Sequence, residues 1–118
     1  MPGGRGVAGP GQAVNTTTAE EIAGLFRVLG DPTRIEILRH LSMADEVACT
    51  TLDDILPISK STISYHIKAL KTVGLLTVRK DGRWYHYTLQ RDRLEALLPG
   101  FFELLQGLDA YAGPAPCG

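Results

Sequence analysis

Cysteine is scarce in this 118-residue chain, which carries only Cys49 and Cys117. Two thiols so far apart cannot frame a disulfide-stapled fold, and a reduced, cytoplasmic setting is the expectation. Long apolar runs are also missing. No stretch approaches the roughly 18 apolar residues of a membrane-spanning helix, so no membrane partner is expected. Met1 to Gly11 contains Arg5 but no apolar segment behind it, which does not fit a secretory signal. Nucleophile elbows, phosphate loops and metal-ligand clusters are absent as motifs, and Asp53 and Asp54, adjacent on a helix, diverge. These absences predict a protein that is not an enzyme and needs no cofactor. The length allows one packed core rather than two.

Net charge is also small, −1, but it is unevenly distributed. Residues 57–93 hold eight basic residues (Lys60, Lys68, Lys71, Arg79, Lys80, Arg83, Arg91 and Arg93) against Asp81 and Asp92, a balance of +6. The rest of the chain has four basic and eleven acidic residues, a balance of −7. A basic block inside an acidic chain suggests one face made for a polyanion.

Residues 1–17 are read as a disordered arm rich in Gly and Pro, residues 18–110 as the folded domain, and residues 111–118 as a flexible tail. Thr18 and Glu21 have the spacing of a capping box, and Ile22, Leu25, Phe26 and Leu29 follow as one apolar stripe closed by Gly30. Asp31-Pro32 opens a second helix, with Ile35, Leu38 and Leu41 on its buried face. Residues 42–48 read as a loop. Thr50 and Asp53 suggest another capping box before a short helix that ends at Pro57-Ile58. Ser59 then caps a helix running to Val73 and stopped by Gly74. Two helices joined by so short a turn read as a helix-turn-helix.

Beyond Gly74 the period becomes alternating. Residues 76–80 and 83–89 read as strands joined by an Asp81-Gly82 turn, a hairpin wing. Tyr85 and Tyr87 are assigned to its core side. Asp92 is the expected cap of a last helix carrying Leu94, Leu97, Leu98, Phe101, Phe102, Leu104, Leu105 and Leu108, with a kink or break at Pro99-Gly100. That is more apolar surface than a small domain covers, which suggests an interface. The expected fold is mainly α with a small β-hairpin wing, a winged helix-turn-helix that dimerises through its first and last helices. Ile22, Leu25, Phe26, Leu94, Leu97, Leu98, Phe101, Leu105 and Leu108 are the interface candidates.

On the helix over 60–73, Ile63, Ile67 and Leu70 cluster as the core face. Ser61, Ser64, Tyr65, Lys68 and Thr72 occupy the other side, with no acid among them. A helix fits the major groove of double-stranded DNA, where hydroxyls and cations reach base edges and phosphates. The DNA-binding candidates are Ser59, Lys60, Ser61, Thr62, Ser64, Tyr65, Lys68 and Lys71 on this helix, and Arg79, Lys80 and Arg83 at the wing.

The segment Phe26-Arg27-Val28-Leu29-Gly30-Asp31-Pro32-Thr33-Arg34-Ile35-Glu36-Ile37-Leu38 resembles the opening signature of ArsR-type (arsenic-repressor-like) regulators. Ser61-Thr62-Ile63-Ser64-Tyr65-His66-Ile67-Lys68-Ala69-Leu70, then Gly74-Leu75-Leu76 and Gly82-Arg83-Trp84-Tyr85-His86-Tyr87-Thr88-Leu89, resemble the recognition helix and wing. The resemblance spans about residues 19 to 108. It implies a dimeric winged helix that represses transcription, often relieved by a metal ion or another signal, so a small effector of unknown identity is a further expected partner. One metal site of the family uses Cys-x-Cys before the recognition helix, but the matching stretch here is Ala48-Cys49-Thr50. Another uses Asp/Glu and His on the last helix, and residues 92–111 contain no His. No metal site is expected, since zinc and thiophilic ions need several such ligands. His40 reads as structural or exposed, and His66 as a packing or hydrogen-bonding residue. The alternative reading is a repressor that senses arsenite or redox state through Cys49 and Cys117.

Overall fold

The computed structural model describes residues 18–109. Helix α1 (Ala19–Leu29) starts as expected: Thr18 accepts from the Glu21 N–H and Glu21 accepts from the Thr18 N–H. Asp31 caps α2 (Pro32–Leu41) through the N–H groups of Thr33 and Arg34. Helices α3 (Cys49–Ile55) and α4 (Lys60–Thr72) flank a short turn, and Ser59 caps α4 by accepting from the Thr62 N–H. No helix among the described residues is long and apolar enough to cross a membrane.

Before the last helix, three local expectations are corrected. The loop over 42–48 ends in a two-residue strand, β1 (Val47–Ala48), which pairs antiparallel with β3 (Trp84–Leu89) through Val47↔Tyr87 and Ala48↔His86. So short a strand has no periodicity of its own and exists because β3 offers it partners. That pairing holds Ala48 extended, so α3 begins directly after it. Thr50 and Asp53 then lie inside the helix, and Ala48 supplies no side-chain cap. The wing loop is one residue later than expected: Asp81 still pairs with Trp84, leaving Gly82 and Arg83 as the turn between β2 (Leu76–Asp81) and β3. Gly82 has φ +64°, and no non-glycine residue among those described has positive φ. A loop with positive φ only at its first position is the type II′ arrangement, in which glycine leads. The sheet order is β1-β3-β2.

The last helix is broken where Pro99-Gly100 suggested, into α5 (Arg91–Leu97) and α6 (Phe101–Gln106). Asp92 is not its cap. Gln90 holds that position, and its N–H donates to the Leu75 carbonyl at 2.8 Å, tying the start of α5 to the turn after α4. Gly74 makes that turn with φ +80°, where a Cβ would stand 2.6 Å from the Arg93 side chain.

One core joins all these elements. Ile37, Leu38 and Leu41 of α2 meet Leu52, Leu70, Leu75, Leu76, Leu94 and Leu105, all fully buried. At about 25 cal/mol per Å² of apolar surface, burying each such side chain contributes roughly 1.5–3 kcal/mol. The interface candidates divide accordingly. Leu25, Leu94 and Leu105 face this core and keep almost no accessible surface, so they cannot meet a partner in this conformation. Ile22, Leu97, Leu98 and Phe101 are half-buried, while Phe26 and Leu108 are exposed, as is Leu104, which was not among the candidates.

Candidate nucleic-acid interface

Helix α4 is anchored by Ile63, Ile67 and Leu70, which sink into the core and turn the opposite side to solvent. Every DNA-binding candidate on it is exposed. Ser61, Ser64, Tyr65 and Lys68 share the outermost stripe, with Lys60 and Lys71 at its two ends. Tyr65 stands well out from the surface, with 64% of its area accessible. Ser59 and Thr62 are partly committed to each other: Ser59 Oγ lies 2.8 Å from Thr62 Oγ1 and also receives the Thr62 N–H. Their role at the helix start is structural first, and any phosphate would compete for hydroxyls already in use.

The wing stands beside this stripe. Lys80 and Arg83 project near its tip, Lys80 Nζ lying 5.9 Å from the Tyr85 ring centre and the Arg83 guanidinium 5.4 Å from that of Trp84. Exposed aromatic faces thus hold the two cations without neutralising them. Arg79 differs. Its guanidinium makes a two-pronged ion pair with Glu46, each N···O distance 2.9 Å. The carboxylate holds the Arg79 pKa above its usual range, and Arg79 in turn lowers that of Glu46. A phosphate would compete with Glu46 for the Arg79 Nε and Nη2 donors.

Tyr85 is a correction. It shares a face with buried Tyr87 but lies nearer the hairpin tip and is exposed. It lines a groove between α4 and the wing together with Ser64, Lys68, Lys71, Val78 and Tyr87. Tyr87 is sealed well enough that burial, reinforced by Cys49 and Asp53, pushes its phenol up to about 12.

Behind the stripe, His66 is buried and its Nδ1 accepts a 2.9 Å hydrogen bond from Arg34 Nε. Burial first, and Arg34 second among the lowering influences, depress the His66 pKa against the opposing pull of Asp31. His40 is half-buried beside Glu36, 3.0 Å away, and there too burial outweighs the carboxylate and lowers the pKa. Cys49 is half-buried at the start of α3, its Sγ 3.5 Å from the Tyr85 nitrogen. Cys117 lies outside the described residues, among which no group of three or more His, Cys, Asp or Glu side chains could hold a metal ion. Arg34, Glu46 and Tyr85 were not among the site residues expected from the sequence. Each acts through a tertiary contact that spacing along the chain does not reveal.

A helix-turn-helix domain family matches residues 29–79, the stretch from the end of α1 into β2. The HTH-type transcriptional regulator YceK of Bacillus subtilis is 38% identical over 84 residues, covering 70% of this chain and 84% of that protein. The arsenical resistance operon repressor of Staphylococcus xylosus is 37% identical over 76 residues, covering 64% and 72%. Among solved structures, an ArsR-like transcriptional regulator from Rhodococcus sp. RHA1 superposes with a TM-score of 0.60 at 32% identity, covering 72% of this chain and 79% of that one. The matched region includes α2, the helix-turn-helix and the start of the wing, the elements that build the basic face. The chain belongs to the ArsR family of helix-turn-helix transcriptional regulators, which bind DNA and are not enzymes.

Proposed function

We propose that this regulator is a cytoplasmic repressor that binds a two-fold-symmetric operator in double-stranded DNA as a homodimer. The observation that carries the reading is the outward face of α4: hydroxyls, one aromatic and lysines, with no acidic residue anywhere in the helix, beside a cationic hairpin tip. In this reading α4 enters the major groove. Ser61, Ser64, Tyr65 and Lys68 face base edges, while Lys60, Lys71, Lys80, Arg83 and, once freed from Glu46, Arg79 neutralise phosphates. Ser59 and Thr62 shape the start of the helix, whose free N–H groups favour a phosphate. Residues Phe26, Leu104 and Leu108, with half-buried Ile22, Leu97, Leu98 and Phe101, supply the apolar surface for a second copy. A two-fold pair of recognition helices then reads half-sites about one helical turn, roughly 10 to 12 bp, apart.

The test is selection of bound duplexes from fragmented genomic DNA, followed by sedimentation of the complex. The expected result is an imperfect palindrome with that spacing and two subunits per duplex. Tight binding of one subunit to a non-repeated site would overturn the symmetric reading.

A further inference from the structure

The base of the reading face is built around Arg34, a residue of α2 rather than of the recognition helix. Its guanidinium reaches two other helices. Nη1 lies 3.4 Å from the Val28 carbonyl near the end of α1. Nε donates to His66 Nδ1 of α4 at 2.9 Å. The guanidinium carbon also stands 5.5 Å from the centre of the Tyr65 ring, while the His66 ring meets that ring edge-on, with centroids 5.4 Å apart and planes at 65°. Tyr65 is thus exposed toward solvent but backed by two flat polar groups. An arginine cannot accept a hydrogen bond, so Nδ1 of His66 must be the unprotonated nitrogen and the ring proton sits on Nε2.

We propose that Arg34 is a positioning residue for DNA reading: with neutral His66 it forms the shelf that fixes the Tyr65 ring on the outer face of α4, and a proton arriving on His66 Nδ1 dismantles that shelf. The proposal rests on the assignment of Tyr65 to a base edge. The chemistry is a competition for one lone pair. Nδ1 can accept from Arg34 or carry a proton, not both, and the protonated ring would set an N–H and a positive charge against the guanidinium. The charged groups around His66 are Asp31 and Arg34 at the start of α2, and their influences on it oppose one another. Burial decides the balance and keeps the ring neutral at pH 7. Sequence discrimination, more than affinity for DNA in general, is therefore set by the protonation state of a residue that does not itself face the groove.

The test combines equilibrium binding with NMR. Operator and scrambled duplex are titrated with the wild-type protein, Arg34→Lys, Tyr65→Ala and the double variant. Arg34→Lys keeps the charge but loses the planar fork. It should lower the operator-to-scrambled affinity ratio roughly tenfold per half-site, the scale of one base contact, with scrambled binding and its salt dependence unchanged. In the Tyr65→Ala background it should lower the ratio no further. Equal weakening on both duplexes with a shallower salt slope would make Arg34 a phosphate contact, and the same loss in both backgrounds would separate it from Tyr65. Either result overturns the proposal.

NMR of the free wild-type protein judges the shelf without DNA or a variant. The Arg34 Nε–H signal should be protected at pH 7.5 and lost on acidification below the ordinary histidine range. In parallel the affinity ratio should fall with pH in wild type and stay flat in His66→Asn, whose side-chain oxygen can replace Nδ1 as acceptor without titrating. An Arg34 Nε–H signal indifferent to pH, or an equal pH dependence in His66→Asn, would overturn the proposal. If Tyr65→Ala alone leaves the ratio intact, the base-contact assignment fails, and the shelf as a DNA-reading device fails with it. The NMR result then reports separately whether Arg34 and His66 are coupled.

Discussion

The recognition face and the carboxy-terminal helices are the two parts of the molecule richest in one kind of side chain, and they behave differently. On α4 every polar residue except His66 stays outside, because the core takes Ile63, Ile67 and Leu70. On α5 and α6 the apolar residues divide. Leu94, Phe102 and Leu105 fill the subunit's own core, whereas Leu104, and Leu108 just past the end of α6, are left outside. A polar stripe on a packed helix is therefore readable as a surface, while an excess of leucine does not say which leucines are surplus. The difference is geometric: beyond the break at Pro99-Gly100, with Gly100 at φ +88°, α6 turns Phe102 and Leu105 to the core and Leu104 to solvent.

That division can be broken by substitution. Leu105→Ala should destabilise the fold by about 2–5 kcal/mol, as a large-to-small change at a fully buried site. The same change at Leu104 should cost less than about 0.5 kcal/mol in the subunit, as at other surface positions. Chemical denaturation of the two variants, compared under conditions where both are dissociated, decides it, and equal losses would mean that α6 has no distinct inner face. Phe26→Glu combined with Leu104→Glu should leave the subunit folded by circular dichroism but shift it to monomer in sedimentation. A tight dimer in that variant would move the interface elsewhere.

The turn that separates the two regions gives a smaller effect. Gly74→Ala introduces a Cβ at positive φ against Arg93 and should cost about 1–2 kcal/mol of stability. An unchanged denaturation midpoint would show that the turn relaxes freely.

Acidification should act on the α2–α4 side of the molecule. His40 and His66 both have pKa values lowered by burial, so the unfolded chain binds protons more readily than the folded one. Their contribution is then fully present above the ordinary value near 6.5. It declines as pH falls through that value and levels off below the depressed folded pKa values. Thermal melts from pH 8 to pH 5 should show this decline, reduced in His66→Asn.

Much of the fold was legible because local signals agreed with tertiary demand. Thr18 with Glu21, Asp31 with Pro32, and Ser59 each cap the helix expected of them. What escaped was whatever one element imposes on another. Strand β1 exists through β3, and its pairing displaced the expected cap of α3 from Thr50. Leu25, Leu94 and Leu105 carry the same side-chain chemistry as an interface residue, and only packing distinguishes them. At the site, the exposed positions of α4 follow from helical period alone, but the Glu46 partner of Arg79 is 33 residues away and Arg34 reaches His66 across 32.

In the proposed reading α4 discriminates sequence while the wing supplies charge, and a salt titration of operator and scrambled duplex with Tyr65→Ala and Arg83→Ala tests that division most directly. Arg83→Ala should weaken both duplexes. It should also flatten the dependence of log affinity on log salt by about one unit for each phosphate no longer neutralised, about two for a dimer with two wings. Tyr65→Ala should leave that slope alone and cost on the order of 1–3 kcal/mol per half-site on operator only. Equal losses on operator and scrambled DNA for Tyr65→Ala would contradict this division, because α4 would then be holding DNA without reading it.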